Sequence, residues 1–346
     1  MFYIRADANE VVGMGHVMRC LSIAEEIKTH RKEDVTFIIA DRQPEQIIQS
    51  RGFFTLCLNS CWDDLDAEIE IMIQIIQEKG ISLLLIDSYY VTKLYFASLH
   101  NYTRLAYIDE MNRFAYSVDK LINYNIYAEE LGYQEQYFEM KTTLLLGCDY
   151  VPLRKEFRQS VPEIREKVRN ILITSGGTDN YNVTNAILEY VSKSNWFLEM
   201  DFYVIIGVFN RNKKALIDRW KDSANIHLIT NVPKMVKYME LCDLAVTAGG
   251  VTTYELMASG IPSVMYTLAD NQLLIAKSVS ERGLIPWAGD VRDDMEKCLG
   301  NVLLHIERLI PDLSERKRIS RCMQKAVDGN GCKRLAERLK DSVSQH

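Results

Sequence analysis

The apolar positions fall into short runs that suit buried strands, alternating with stretches of helical period. Phe2-Tyr3-Ile4 reads as a first strand. After a turn at Gly13-Met14-Gly15, a helix opens at His16 with Val17, Leu21, Ile23, Ala24 and Ile27 among its apolar positions. Residues 34–42 are nearly continuously apolar, as a strand covered on both faces should be. A short helix over 43–51, a strand over 53–58 and a helix over 63–79, stopped by Gly80, come next. The run ISLLLIDSYY predicts a strand ending in Asp87-Ser88-Tyr89-Tyr90. A helix over 91–100 leads to another strand, ending in Asp109-Glu110. This βαβα alternation argues for an open parallel sheet with helices on both sides. Residues 117–150 break it: short strands at 121–124 and 143–146 enclose a polar, tyrosine-rich insert over 124–140. Residues 151–167 read as a crossover between domains.

The alternation restarts at 169–180, where a strand runs into a Gly176-Gly177 turn followed by a helix over 181–194. Strands are predicted at 200–207, 225–230 and 243–248, and helices at 211–221 and 233–241. A further turn, Ala248-Gly249-Gly250, opens another helix, and the strand after it ends in Asp270-Asn271-Gln272. The tail from about residue 311 is helical and charged, broken once at Asp328-Gly329-Asn330-Gly331. The expected fold class is therefore α/β, with two Rossmann-like domains facing across a cleft. Their boundaries are placed at 1–152 and 153–346, and the second includes the helical tail. A length of 346 residues suits two domains.

Composition changes this picture only by exclusion. A formal net charge of −6 gives no global pull toward nucleic acid or an anionic membrane, so any phosphate must be held locally. The eight cysteines are scattered, and no histidine flanks Cys57 and Cys61 at a zinc-like spacing. They read as free thiols of a cytoplasmic protein. No signal-peptide pattern and no membrane-spanning apolar run is present. The chain is expected to be a monomer without metal or cofactor.

The candidate chemistry gathers at glycine turns that follow strands, where open α/β sheets bind ligands. A strand, a glycine turn and a helix beginning there leave backbone N–H groups directed at the turn, suited to an anion or an oxygen-rich ligand. His16, in the first helical turn, feels the positive end of the helix dipole, which favours the neutral imidazole that a general base needs. The alternative is a histidine that merely completes a cap. Arg19 lies one turn on, on the same face. Asp7, Asp87 and Tyr89 end strands and would point the same way. In the second half, the Gly249-Gly250 amides can hold a pyrophosphate, and Glu255, inside the helix, can accept hydrogen bonds from ribose hydroxyls. A solvated glutamate is the plainer alternative for Glu255. Asn271 and Gln272 can present amides to a sugar, or simply cap a loop. Neither turn continues as Gly-Lys-Ser/Thr, Gly13-x-Gly15 lacks the third glycine of a dinucleotide fingerprint, and Gly-x-Ser-x-Gly is absent.

The order of motifs resembles a known group. Arg5-Ala-Asp7, Gly13-x-Gly15-His16-x-x-Arg19-Cys20-Leu21, Asp87-x-Tyr89 and Gly176-Gly177-x-Asp179 are followed by Ala248-Gly249-Gly250-x-Thr252, Glu255-x-x-x-x-Gly260-x-Pro262, Asp270-Asn271-Gln272 and Asp328-Gly329-x-Gly331. These resemble the UDP-sugar hydrolases of pseudaminic acid biosynthesis and the related spore-coat polysaccharide proteins described as glycosyltransferases. The resemblance implies the GT-B architecture, with nucleotide held mainly by the C-terminal domain. It also implies metal-independent hydrolysis of UDP-2,4-diacetamido-2,4,6-trideoxy-β-L-altropyranose by water attack at the anomeric carbon, with inversion. His16 matches the histidine that activates or positions the water, and Tyr89 a cleft tyrosine. Glu255 matches the nucleotide-side glutamate and Asn271 a sugar-contacting asparagine, while the Gly249-Gly250 turn would meet the diphosphate. The 124–140 insert has no counterpart in this pattern. The opening motif also occurs in relatives whose reaction is not established. An inverting glycosyltransferase for surface or spore-coat polysaccharide therefore stands as the alternative, and a non-catalytic sugar-nucleotide sensor as a third.

Overall fold

The computed structural model describes residues 1–158, 163–207, 209–230, 232 and 234–340. It divides into two compact units: Met1–Lys155 together with the C-terminal segment from Gly329, and Glu156–Asp328.

The first unit is built on β1 (Phe2–Ala6), α1 (Gly15–Arg31), β2 (Val35–Ile39), α2 (Glu45–Ser50), β3 (Phe54–Cys57), α3 (Ile69–Lys79) and β4 (Leu83–Asp87). It continues through α4 (Lys93–His100), β5 (Arg104–Ile108), β6 (Lys120–Asn123), the short α5 (Tyr133–Gln136) and β7 (Thr143–Leu146). The seven strands lie in the order β3-β2-β1-β4-β5-β6-β7, with parallel neighbours throughout. The chain winds outward from β1 to β3, then returns and winds the other way from β4. This reversal puts a topological switch point between β1 and β4, and the crevice beyond their carboxyl ends is where such sheets take ligands. β1, β2 and β4 are buried along their whole length, which accounts for their continuous apolar runs.

Residues 117–150 do not interrupt the sheet. The two short strands pair in parallel as its last members, and the tyrosine-rich insert is their crossover. Tyr133 and Tyr137 are buried beneath it in the same core as Phe96, Tyr107 and Tyr116. Their polar ends are satisfied: the Tyr133 hydroxyl donates to Asp109 at 2.7 Å, and the Tyr137 hydroxyl accepts from the Tyr116 amide at 2.9 Å. Tyrosine has an apolar body and a polar tip, so a segment that reads as polar supplies core on one side.

The second unit comprises β8 (Asn170–Thr174), α6 (Val183–Val191), β9 (Asp201–Ile206), α7 (Lys213–Trp220), β10 (Ile226–Thr230), α8 (Met235–Leu241) and β11 (Leu244–Ala248). α9 (Thr252–Ser259), β12 (Ser263–Thr267), α10 (Leu273–Glu281), β13 (Trp287–Asp290), α11 (Met295–Leu309) and α12 (Leu313–Ala326) complete it. Its parallel sheet runs β10-β9-β8-β11-β12-β13, so the switch point lies between β8 and β11. Both glycine turns of this half follow those two strands. Of the predicted crossover, residues 159–162 lie outside the described residues, as do 233 at the start of the predicted 233–241 helix and 341–346 of the tail.

The boundary drawn from sequence assigns the whole tail to the second domain, and the structure corrects this. α13 (Gly331–Arg338) packs on α1 in the first unit. The break at 328–331 makes this possible: Gly329 has φ +72°, and Gly331 lies backbone-to-backbone on Val151. The Cys332 thiol donates to Leu153 O at 3.2 Å, Arg31 donates to Leu339 O at 3.0 Å, and Lys120 reaches Arg338 O. Leu335 and Leu339 are fully buried. The tail helix is amphipathic, and a period alone does not say which unit its apolar face covers.

Candidate active site

The loop after β1 is shaped by Asn9, whose side-chain oxygen accepts from the Val11 and Val12 amides at 2.8 and 2.9 Å. Its carbonyl accepts from Gly13 N–H at 2.9 Å, and Gly13 turns the chain with φ +72°. α1 then starts without any side-chain cap. The amides of Gly15, His16 and Val17 have no acceptor among the described residues, as expected for an uncapped helix start.

His16 and Arg19 descend from this turn onto Asp87, at the end of β4. His16 Nδ1 is 2.6 Å from Asp87 Oδ1. Arg19 grips the same carboxylate with both Nε and Nη2, each at 2.6 Å. Burial alone would raise the Asp87 carboxyl, but Arg19 and then His16 outweigh it and hold the group well below the usual carboxylate range. An ionised Asp87 only accepts hydrogen bonds, so Nδ1 must carry a proton when it approaches so closely. The lone pair of a neutral His16 is thereby placed on Nε2, which has no protein partner among the described residues.

His16 lines a recess together with Asp7, Val12, Trp62, Asp87, Ser88, Tyr89 and Tyr90. The Tyr89 ring stands edge-on to the imidazole, with centroids 4.5 Å apart, and Trp62 meets Tyr90 edge-on at 5.1 Å. Asp7 shows the recess little of its carboxylate: Oδ1 accepts from the Ala40 amide at 2.7 Å, and Oδ2 is held by Arg5. Arg5 in turn is held by Glu68 through two contacts of 2.8 Å.

Two residues to which the sequence reading gave no site role belong to the same network. Glu110, just past β5, accepts from the Tyr89 hydroxyl, and its other oxygen accepts from Tyr124 at 2.9 Å. Arg19 Nη1 lies 3.1 Å from Glu110 and donates to the Tyr124 hydroxyl at 2.6 Å. Glu110 is held below its usual range: burial would raise it, but Arg19 and the Tyr89 hydrogen bond prevail. Burial, then Glu110, pushes the Tyr89 phenol up. Both residues follow strands at the carboxyl edge of the sheet, and that rule was the signal available for them.

The second unit places its predicted residues on separate turns. After β11, the Gly249 amide donates to Tyr266 O at 2.9 Å and the Gly250 amide to Ala248 O at 2.8 Å. Neither is therefore available for a ligand, contrary to the sequence expectation. The unpartnered amides among the described residues are those of Val251 and Thr252, one step along. The glycines still shape the approach: a Cβ on Gly249 would stand 3.2 Å from Met265 Sδ, while Gly250 faces open space. Glu255 is half-buried in the first turn of α9. Asn271 is exposed and its side chain has no protein partner among the described residues. Gln272 is a loop cap, its Oε1 accepting from Leu268 N–H at 2.9 Å. After the Gly176-Gly177 turn, the start of α6 is capped by Asp179, whose carboxylate accepts from the Val183 and Thr184 amides at 2.7 and 3.2 Å. Among the described residues no group of three or more His, Cys, Asp and Glu side chains is placed to hold a metal ion. No helix among them is long and apolar enough to cross a membrane.

This fold is shared with solved proteins at low sequence identity. MurG of Acinetobacter baumannii superposes with a TM-score of 0.69 over 98% of this chain and 99% of its own, at 12% identity. Arabidopsis thaliana UGT89C1, in complex with quercetin, gives 0.69 over 98% of each chain, also at 12% identity. The chain has the GT-B glycosyltransferase fold. Among curated sequences, Uncharacterized protein MJ1062 of Methanocaldococcus jannaschii is 27% identical over 78% of this chain, which spans 56% of that longer protein. Spore coat polysaccharide biosynthesis protein SpsG of Bacillus subtilis is 21% identical over 99% of this chain and 98% of its own. The UDP-2,4-diacetamido-2,4,6-trideoxy-beta-L-altropyranose hydrolase of Campylobacter jejuni is 26% identical over 73% of this chain and 86% of its own. No family profile matches the chain.

Proposed function

We propose that this chain hydrolyses a UDP-linked sugar, UDP-2,4-diacetamido-2,4,6-trideoxy-β-L-altropyranose or a close analogue, with His16 as general base. The observation that carries the reading is the His16–Asp87 pair: a 2.6 Å contact to an ionised carboxylate fixes the tautomer that leaves Nε2 without a proton, on a residue that lines the recess. The name of the Campylobacter jejuni relative supports the substrate. In the reaction, a water oxygen attacks the anomeric carbon while its proton passes to His16 Nε2. The bond from that carbon to the phosphate oxygen breaks, and its electron pair leaves with UDP. Attack opposite the leaving group inverts the anomeric centre. Asp87 offsets the charge of the imidazolium that forms.

The sugar's apolar C–H face suits the aromatic wall of Trp62 and Tyr90. In the second unit, the Val251 and Thr252 amides at the start of α9 are the donors we assign to the diphosphate, with Gly249 and Gly250 allowing close approach. Glu255 is assigned to the ribose, and Asn271 to the sugar's substituents. The protein is proposed to act as a cytoplasmic monomer that requires no metal.

A transferase is the second reading, favoured by the fold shared with MurG and by the end-to-end match to the spore-coat protein. The two reactions differ only in whether water or an acceptor hydroxyl reaches the anomeric carbon. His16→Ala is expected to lower turnover by roughly 10²–10⁴-fold while leaving UDP affinity, measured by calorimetry, unchanged. Unaltered turnover would remove His16 from the reaction.

A further inference from the structure

The charges around His16 do not cancel in pairs. Arg19 is matched by Asp87 through two 2.6 Å contacts, yet Arg19 also carries Glu110 at 3.1 Å. One guanidinium thus faces two carboxylates, both held in the ionised form. The phenols and the thiol nearby add no charge. Burial pushes the Tyr89 and Tyr124 phenols and the Cys20 thiol up, so all three stay protonated at neutral pH. Asp7, which reaches the recess from β1, shares Arg5 with Glu68, a separate set that substitution of Glu110 leaves unchanged. Arg19 Nη2 also lies 3.1 Å from His16 Nδ1, and Asp87 contacts both side chains.

We propose that Glu110 is a positioning residue that leaves the His16–Asp87–Arg19 cluster with one surplus negative charge, so that the proton His16 takes up brings the cluster to neutrality. Its geometry also orders the aromatic side of the site: one oxygen ties down Tyr124 and the other Tyr89, whose ring packs edge-on against the imidazole. Glu110 is not among the residues that line the recess, and it acts through Arg19 and Tyr89. The inference rests on His16 being the base, and it deepens that assignment by naming what sets the electrostatics of the base.

The test is the titration of His16 in the free protein, followed by nuclear magnetic resonance of its labelled imidazole, which needs no substrate. Glu110→Gln is expected to move the midpoint to lower pH by about half a unit or more, because a nearby negative charge that favoured the imidazolium is gone. Glu110→Asp, which keeps the charge, should leave the midpoint near that of the unaltered protein. Glu110→Ala supplies the same neutralisation should the amide not be accommodated. In the hydrolysis assay, the acidic limb of kcat/KM should move with the midpoint. A midpoint that does not change on neutralising Glu110 would overturn the proposal, as would an equal fall in Glu110→Asp. Absence of sugar release would refute the proposed reaction and leave the titration result standing, so the two failures can be told apart.

Discussion

At the residue scale, Asp87 organises the first unit's site, since it orients His16 and carries Arg19 at once. Its carboxyl is held below the ordinary range in the folded state, so the unfolded chain binds the proton more tightly. The stability this contributes is fully present above the unfolded carboxylate pKa of about 4, and it is lost as the pH falls below that value toward the folded one. Urea unfolding between pH 6 and pH 3 should therefore show a steeper loss of stability in the unaltered protein than in Asp87→Asn; equal slopes would refute the linkage. The variant should also lose turnover, since a neutral amide in place of the carboxylate could not hold the Nδ1–H tautomer through charge. His16, Arg19 and Asp87 were legible in the sequence because they sit on a strand end and a helix start. Glu110 and Tyr124 were less so, because their role comes from meeting Arg19 across neighbouring strands, 91 and 105 positions away, and no local spacing encodes that.

At the element scale, the strands and most helices follow from apolar period alone, and β7 lies where 143–146 was predicted. What misled was amphipathic character without a stated direction: the tyrosine-rich crossover read as polar, and the tail helix gave no sign of docking on α1. Gly331 is the residue that fixes this docking, because a Cβ there would stand 2.1 Å from Val151 O, which is backbone and cannot swing aside. Gly331→Ala is expected to destabilise by about 1–3 kcal/mol, as overpacking does, and to raise hydrogen exchange in α1 and α13 while sparing the second unit. Unchanged protection of both helices would contradict this role for Gly331. The glycine turn before α9 is a related case. The sequence marks the turn correctly, but which amides remain free depends on the register with β12, where Tyr266 O takes the Gly249 amide. Glu255→Ala, one turn inside that helix, is expected to weaken UDP binding measured by calorimetry without reducing the rate constant of the bound substrate in proportion. An unaltered UDP affinity would remove Glu255 from the nucleotide.

At the scale of the whole molecule, two parallel-sheet units divide the proposed work, the first holding the base and the second the nucleotide. The first is discontinuous in sequence, completed by the segment from Gly329. The proposed reaction stands or falls on water, activated by His16, displacing UDP from the anomeric carbon. That step is observed by incubating the protein with UDP-2,4-diacetamido-2,4,6-trideoxy-β-L-altropyranose, with EDTA and no acceptor, and following the anomeric and phosphorus resonances. Release of UDP and of free sugar with inverted anomeric configuration is expected, slowed by roughly 10²–10⁴-fold in His16→Ala. Intact substrate that still protects the protein against heating would contradict hydrolysis and favour the transferase reading. Intact substrate without protection would contradict the sugar assignment itself.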